Sequence, residues 1–235
     1  MSNLLKAEFY KLLHHKGFWG MTLFSIVLGS ILMLDSGLPE SAGGAFRSSL
    51  YNTPLLYFLP IIFCALFAGE DFETRTLHCY ISSGHTRGSI LASKILSCLA
   101  ACTVMLAAPL AVHGLAGMAV FGMDRNMSEG NMIWYGAVIF SAILAMGMLP
   151  LFCTFLCRDV GKSLAVPMVF FFLMIFLLNS DKAELFVLVF PMGQLRLLSL
   201  QDVPNSWPLM AAADFLWIAG CCTGAYAAFM RSDLK

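Results

Sequence analysis

A fragment in the second half of the chain looks like part of a phosphate-binding loop. Residues 158–165 read RDVGKSLA, and Gly161, Lys162 and Ser163 match the end of the P-loop pattern. That loop also needs a glycine five residues before its last glycine, on a turn that leaves a strand. Position 156 is leucine, and an apolar helical stretch precedes it. We therefore predict no nucleotide site here, so any ATP that drives this protein must be hydrolysed by another polypeptide.

The eight cysteines include two pairs at helical i,i+4 spacing, Cys98 with Cys102 and Cys153 with Cys157. Such pairs suit soft metal ions, but a complete site needs further ligands, and neither pair has a nearby histidine or acidic partner to complete one. Cysteine is also a small apolar residue that packs well between helices. We expect these pairs to pack, and we assign no metal site and no catalytic residue.

One histidine, His113, and one acid, Asp214, fall deep within apolar stretches. An intramembrane enzyme would need a paired set, such as His-Glu-x-x-His or two acids. We expect His113 to pack between helices or to line a cavity. An acid within a membrane is a candidate for function, although a span that began at Phe215 would leave Asp214 at the outer interface. Both residues are candidates for a substrate path.

A dense group of charges lies in residues 69–94, which read GEDFETRTLHCYISSGHTRGSILASK. Two histidines and six charged side chains stand there between two strongly apolar stretches. Burying six charges at the middle of a membrane would cost about 3 kcal/mol each, or about 18 kcal/mol in total. We therefore expect residues 70–88 to form a hydrated loop. The six charged residues are Glu70, Asp71, Glu73, Arg75, Arg87 and Lys94.

The composition predicts an all-α membrane protein. Of the 235 residues, 59% are hydrophobic and 12% are charged, whereas soluble domains carry about 25% charged residues. Crossing about 30 Å of hydrocarbon takes about 20 apolar residues. Six stretches approach or exceed that length, which predicts one transmembrane domain over residues 1–235. The predicted spans cover about 17–35, 50–69, 90–122, 131–157, 163–180 and 208–230.

Lysine and arginine residues set the predicted orientation. With both termini in the cytoplasm, ten of the 14 Lys and Arg residues fall in inner segments. The other four, Arg47, Arg125, Lys182 and Arg196, fall in outer segments. This distribution obeys the positive-inside rule, and the opposite orientation violates it. The loop 70–88 is then cytoplasmic.

The N-terminal residues 1–16 have the spacing of an amphipathic helix. We expect this helix to lie along the inner membrane surface with its cations toward the lipid headgroups. Its predicted apolar face consists of Leu5, Phe9, Leu12 and Leu13, and Lys11 lies opposite.

Two outer segments and one small-residue face complete the predicted layout. Residues 35–47 are rich in glycine and serine and predict an outer loop. Residues 181–207 hold an apolar run too short to span, followed by proline and glycine, which predicts a re-entrant hairpin before span six. In span six, Gly220, Gly224 and Ala228 recur every four residues, as expected for a subunit interface or for packing within one bundle.

The charged loop also has an internal helical pattern. Phe72, Cys79 and Tyr80 fall on one side of a helix, and Leu77 and Ile81 fall on the other. A short helix with two apolar sides, surrounded by charge, suits a position between the membrane bundle and a cytoplasmic protein.

Residues 69–96 resemble the loop that follows the second span in permease subunits of type-2 ABC exporters. The opening LLKAEFYKLLHHKGFW and the closing RSDLK are also similar, so the resemblance covers the whole chain. Thr86 stands where those permeases commonly have serine, and no proline precedes it. The matching residues are Glu70, Asp71, Arg75, Thr76, Leu77, Thr86, Arg87, Ser93 and Lys94.

The resemblance implies that the loop 70–88 holds a coupling helix, which docks into a separate ATPase and transmits its closing motion. It further implies two ABC ATPase chains that bind ATP and Mg²⁺, a second six-span permease (identical or related) and a bacterial plasma membrane. This chain would itself bind no cofactor and no nucleic acid. We expect Glu70 to pair with a cation of the N-terminal helix. The expected coupling residues are Glu70, Asp71, Phe72, Arg75, Thr76, Leu77, Tyr80 and Arg87.

Several cargoes and functions stay open. Compact permeases of this kind resemble exporters of amphipathic compounds, and the alternatives are lantibiotics or other antimicrobial peptides, drugs and lipid-like molecules. An ion-extruding ABC permease would want more polar residues within its spans than Asp214. Outside ABC transport, the chain could be an immunity or sensor protein that binds a peptide toxin without pumping, or an intramembrane enzyme. An exporter subunit should bring down an ATPase through residues 70–88, which the others need not do.

Overall fold

The computed structural model describes residues 2–35, 39–122, 129–179, 184–200 and 207–231, and the regular elements in these ranges are all helical. The all-α prediction is therefore confirmed for this part of the chain. The last four residues of the closing RSDLK motif and the predicted outer cations Arg125 and Lys182 lie outside the described residues.

Six segments of the described chain are long and apolar enough to cross a membrane, which agrees with the predicted number of spans. They are Lys16–Asp35, Ala42–Glu73, Arg87–Phe121, Trp134–Cys157, Val160–Leu178 and Trp207–Met230. The chain thus has the architecture of a multi-pass membrane protein.

These segments and their neighbours form helices α1 to α11, and a 3-10 turn at Thr53–Tyr57 joins α3 to α4. The helices are α1 Ser2–His14, α2 Lys16–Asp35, α3 Ala42–Asn52, α4 Phe58–Glu73, α5 Thr76–Ser82, α6 Arg87–Phe121, α7 Glu129–Cys157, α8 Val160–Leu178, α9 Glu184–Val189, α10 Pro191–Leu200 and α11 Trp207–Met230.

The bundle has two ends that differ in structure. The end that holds α1 and α5 is called the loop end, and the opposite end, which holds α9 and α10, is called the hairpin end. Apolar side chains fill the bundle at both ends. Phe63, Phe67 and Phe155 are buried toward the loop end, and Phe171 and Leu195 are buried toward the hairpin end. Inside a membrane such helices associate through close packing and hydrogen bonds, because lipid tails are as apolar as the side chains.

The second membrane segment begins earlier than the sequence predicted. Part of the outer loop predicted over 35–47 is helical, because α3 begins at Ala42. Ser41 caps this helix by accepting a hydrogen bond from the Gly44 amide at 3.0 Å. The abundant glycine and serine here therefore mark a helix start rather than an extended loop.

Small residues on α3 also allow a close approach to α6. A Cβ atom added at Gly117 would lie 3.0 Å from the Ala45 Cβ and 3.2 Å from the Ala42 Cα. The backbones of α3 and α6 meet there because neither helix carries a larger side chain at the contact. The alanines at the start of α3 thus serve helix packing.

The two short helices before α11 pack tightly against each other. A Cβ atom at Gly193 would lie 2.5 Å from the Val187 Cα, so α10 touches the backbone of α9 at this position. Tyr135 of α7 donates a hydrogen bond to the Leu198 carbonyl at 2.8 Å, which fastens α10 to the bundle. Neither α9 nor α10 is long enough to cross a membrane.

The small-residue face of α11 divides between two environments. A Cβ atom at Gly224 would lie 2.7 Å from Phe152 Cε2 of α7, whereas one at Gly220 would meet no atom within 4 Å. Gly224 therefore packs within this bundle, and the face does not act as one uniform surface.

The substitution Gly224→Val should destabilise the bundle, and Gly220→Val should not. The two positions share one helix and the same loss of backbone freedom, so the difference isolates the contact with Phe152. Overpacking of this kind costs about 1–3 kcal/mol. Thermal unfolding of the two variants in detergent measures the effect, and equal losses would contradict the packing of Gly224 described here.

Candidate functional site

The charged loop lies at the loop end of the bundle and consists of the end of α4, the short helix α5 and the start of α6. Arg75 stands between α4 and α5 in the left-handed region, with a φ of 57°, which is uncommon for a residue other than glycine. Thr86 caps α6, its side chain accepting a hydrogen bond from the Ser89 amide. Helix α5 is thus joined to two membrane helices by short, well-defined turns.

Four charged side chains from three helices meet beside α5. Lys94 of α6 donates a hydrogen bond to Glu8 Oε2 of α1 at 2.6 Å and also contacts Asp71 Oδ2 of α4. Lys11 of α1 donates to Asp71 Oδ1 at 2.6 Å. We call Glu8, Lys11, Asp71 and Lys94 the ionic cluster. It connects α1, α4 and α6 at the point where α5 leaves the bundle.

The ionic cluster is buried and balanced in charge. Lys94, Glu8 and Asp71 are 1%, 1% and 2% exposed, and the cluster holds two acids and two cations. The ammonium groups of Lys11 and Lys94 each lie 4.9 Å from the centre of the Phe67 ring, in cation–π contact. Each buried charge has lost its hydration, so each depends on its partners in the cluster.

The contact predicted for Glu70 is made by Asp71 instead. Glu70 is exposed, whereas Asp71 pairs with Lys11 of the N-terminal helix. Neighbouring residues of a helix point about 100° apart, so only one of these two acids can face α1. The predicted contact between the charged loop and the N-terminal helix is present, but Asp71 makes it rather than Glu70.

The buried face of helix α1 agrees only in part with the predicted one. It buries Leu4, Glu8 and Leu12 and leaves Leu5 and Phe9 half-buried, while Leu13 is exposed. The buried stripe follows i,i+4 spacing and includes an acid, because Glu8 must reach Lys94.

Phe72 belongs to α4 rather than to the short helix. Its ring packs edge-on against Phe155 of α7 and Phe229 of α11, with ring centres 5.5 and 6.4 Å away. The prediction that Phe72 forms part of one apolar side of the short helix is therefore wrong. Helix α5 has one buried residue, Leu77, which inserts into the bundle.

The remaining predicted residues of α5 lie at its surface or near the ionic cluster. Tyr80 is half-buried, and burial together with the nearby Glu8 carboxylate raises the pKa of its phenol. Thr76 Oγ1 lies 2.8 Å from Thr74 Oγ1, across the turn that precedes α5. Cys79 is exposed.

Two arginines fasten the end of α11 at the loop end. Arg87 Nη1 donates hydrogen bonds to the Met230 carbonyl at 3.0 Å and the Phe229 carbonyl at 3.3 Å. Arg158 Nη2 donates to the Ala228 carbonyl at 3.0 Å. The last carbonyls of a helix have no partner within it, and cations near them are favourable. Arg87 was predicted as a coupling residue, and here it joins α6 to α11.

The two residues proposed for a substrate path lie in separate polar groups. His113 sits between two serines, with Nε2 2.9 Å from Ser30 Oγ and Nδ1 2.8 Å from Ser49 Oγ. It therefore packs between α2, α3 and α6. Asp214 is 0% exposed, and its Oδ2 accepts a hydrogen bond from Ser141 of α7 at 2.6 Å. Asp214 lies within α11, which begins at Trp207 rather than at Phe215.

The cysteines of α6 are buried among apolar neighbours. Cys98 and Cys102 are 0% exposed, and Cys102 Sγ lies 3.4 Å from Cys64 Sγ of α4. Cys153 is also buried, and Cys157 is half-buried. This is the packing role expected from their size.

Sequence reasoning missed Glu8, Lys94 and Arg158 as parts of this end of the bundle. A signal for Glu8 was present, since it stands four residues from both Leu4 and Leu12 and so shares their face. An acid on the apolar face of a helix indicates a buried polar partner, which for Glu8 is the cation Lys94. The identity of that cation depends on tertiary contacts.

Comparison with protein-family models gives no match, and comparison with curated proteins gives no significant match. The interpretation of the loop end therefore depends on its geometry and on the residues named above.

The variant Asp71→Asn should destabilise the protein, and Glu70→Gln should leave it almost unchanged. Removing one partner from a buried ion pair costs about 3–5 kcal/mol, because the remaining charges stay buried without compensation. Glu70 is adjacent and exposed, so its variant is a matched control for the loss of a negative charge. Thermal unfolding in detergent measures both. A small effect at Asp71 would contradict the structural role given to the ionic cluster.

Proposed function

We propose that this chain is the membrane-spanning permease subunit of an ATP-driven type-2 ABC exporter. It works with two ATPase chains, which bind ATP and Mg²⁺, and with a second six-span permease. The observation that carries the proposal is the combination of a short helix, α5, with a buried ionic cluster that ties its flanking helices together. The resemblance of residues 69–96 to the coupling loop of such permeases supports the same function.

The geometry of α5 suits the transmission of force. A partner that pushes on a flexible loop moves only the loop, whereas a partner that pushes on a rigid element moves whatever is attached to it. Helix α5 is anchored by Leu77 and joined to α4 and α6 by turns of a few residues. Its flanking helices are held to each other by Asp71 and Lys94. Displacement of α5 would therefore carry α4 and α6 with it.

Helix α6 is long enough to carry such motion across the membrane. Its 35 residues extend about 52 Å at about 1.5 Å per residue, well beyond the hydrocarbon thickness of about 30 Å. The ionic cluster holds its first part at Lys94, and Gly117 packs against α3 near its other end. One continuous helix, with Pro109 inside it, thus connects the loop end to the hairpin end.

The proposed orientation of the chain in the membrane follows the sequence predictions. Both termini and α5 face the cytoplasm of a bacterial cell, α1 lies along the inner membrane surface, and α9 with α10 forms a re-entrant hairpin on the outer side. The positive-inside rule supports this orientation. The cargo is an amphipathic compound, such as an antimicrobial peptide, a drug or a lipid-like molecule.

The orientation predicts that Cys79 reacts with a thiol reagent only from the cytoplasmic side. Cys79 is exposed on α5, whereas the other seven cysteines lie in the membrane-spanning segments. A membrane-impermeant maleimide should label inside-out vesicles from which peripheral proteins have been stripped and leave intact cells unlabelled, and Cys79→Ser should remove the label. Labelling of Cys79 in intact cells would reverse the proposed orientation.

The coupling role predicts that an ATPase contacts α5. A photo-crosslinking amino acid at His78 or Cys79, used in native membranes, should give an adduct with a protein that contains a nucleotide-binding P-loop. The same amino acid at Leu115, which is exposed on α6 away from the loop end, should not give this adduct. An immunity or sensor protein needs no such partner, so an adduct pattern without an ATPase would favour that alternative.

Charge reversal at α5 should separate ATP hydrolysis from transport. Arg75→Glu changes an exposed charge at the start of α5, and we expect at least a tenfold loss of transport per ATP hydrolysed, with normal membrane insertion. Arg231→Glu is the matched control, because Arg231 is also exposed at the loop end but lies outside α5. Unchanged coupling in Arg75→Glu would count against the proposed function.

A further inference from the structure

A second polar group lies within the bundle toward the hairpin end, where three helices meet. Asp214 of α11, Ser141 of α7 and Gln194 of α10 form this group, which we call the carboxyl cluster. Asp214 and Gln194 are both 0% exposed. The Gln194 amide lies within hydrogen-bonding reach of the Asp214 carboxyl group. The carboxyl cluster has no part in the proposed coupling mechanism.

The orientation of the Gln194 amide is fixed by its neighbours. Its Nε2 donates to the Leu188 carbonyl at 3.1 Å and to the Met210 carbonyl at 3.3 Å, which uses both hydrogens. Reversing the amide would place Oε1 against two carbonyl oxygens. Both Gln194 amide hydrogens are thus within reach of backbone carbonyl groups, and the buried Oε1 has no donor within the described residues.

The Asp214 carboxyl group also lacks hydrogen-bond donors. Its Oδ1 is buried without a donor among the described residues. Its Oδ2 accepts from Ser141 at 2.6 Å, but the single hydroxyl hydrogen of Ser141 is also within reach of the Val138 carbonyl at 3.0 Å. An ionised Asp214 would thus be a buried carboxylate with one oxygen that has no hydrogen-bond donor among the described residues, which is costly.

Two other polar side chains at the hairpin end, Arg196 and Tyr135, bond to groups other than Asp214. Arg196 of α10 donates to the Leu178 carbonyl and to Asn179 Oδ1, and it lies over the Tyr51 ring. Tyr135 of α7 donates to the Leu198 carbonyl. Within the described part of the chain, no cation contacts the Asp214 carboxyl group.

We propose that Asp214 is a proton-binding site, protonated while α7, α10 and α11 are packed as described. One added proton removes the charge of the buried carboxyl group. The acid can then donate from Oδ2 to Ser141 Oγ, which gives its own hydrogen to the Val138 carbonyl. The proton comes from water and returns to water when the cluster opens.

Proton binding is thereby linked to the packing of the hairpin end. Separation of α10 or α7 from α11 would admit water, which can donate to an ionised carboxylate, and Asp214 would then release its proton. Repacking would take the proton up again. This inference does not depend on an ATPase partner, so it stands or falls separately from the proposed function.

Infrared spectroscopy of the purified protein tests the proton directly. At neutral pH the wild type should show the C=O stretching band of a protonated carboxylic acid, and the band should be lost in Asp214→Asn. Asp35→Asn, which changes an exposed acid at the end of α2, should keep the band. Ser141→Ala should shift the band, because the acid loses a hydrogen-bond partner. Absence of the band in the wild type at neutral pH would overturn the proposal.

The pH dependence of stability gives an independent readout. A carboxyl group that is protonated when folded and ionised when unfolded loses stability as pH rises. Asn at position 214 is uncharged at every pH and can still accept a hydrogen bond from Ser141. The unfolding temperature of the wild type, measured relative to Asp214→Asn, should therefore fall as pH rises through neutrality.

A bound metal cation would give the opposite pattern. The same measurements in Na⁺, K⁺ and N-methylglucamine separate the two ligands at constant pH. Equal wild-type stability in all three is expected. Stabilisation by Na⁺ that disappears in Asp214→Asn, together with no protonated-acid band, would assign the cluster to a metal cation and overturn the proton site.

Discussion

The buried ammonium group of Lys94 is the constraint on which the loop end depends. A lysine that is 1% exposed loses nearly all of its hydration, at a cost of several kcal/mol, unless acids surround it. Glu8 and Asp71 supply that compensation from two other helices. The position of α1, the spacing of α4 and α6 and the direction in which α5 leaves the bundle all follow from keeping these three groups together.

Buried polar groups are compensated in different ways at the two ends of the bundle. At the loop end, opposite charges pair across three helices, and Arg87 and Arg158 bond to the last carbonyls of α11. At the hairpin end, the buried acid Asp214 accepts a hydrogen bond from a hydroxyl group, and no cation of the described residues contacts it. Paired charges favour one fixed arrangement, whereas a site that gains and loses a proton can exist in two. A force applied at the fixed end would therefore act on an end that is able to change.

Part of this architecture could be predicted from the sequence, because it depends on local patterns. Apolar run length predicts six spans, and charge density predicts a hydrated loop at residues 70–88 that contains a short helix. The partners inside the bundle could not be predicted in the same way. Asp71 and Glu70 are chemically similar neighbours, and only the rotation of α4 decides which of them meets Lys11. The start of α3 was missed because glycine and serine mark loops as well as close helix contacts.

Electron cryo-microscopy of the complex isolated from native membranes tests the central claim most directly. That claim is that a rigid α5, held by the ionic cluster, is gripped by an ATPase. The expected result is density for a nucleotide-binding protein whose surface groove encloses Thr76–Ser82. A complex that transports its cargo while α5 faces open solvent, with no nucleotide-binding protein attached, would contradict it.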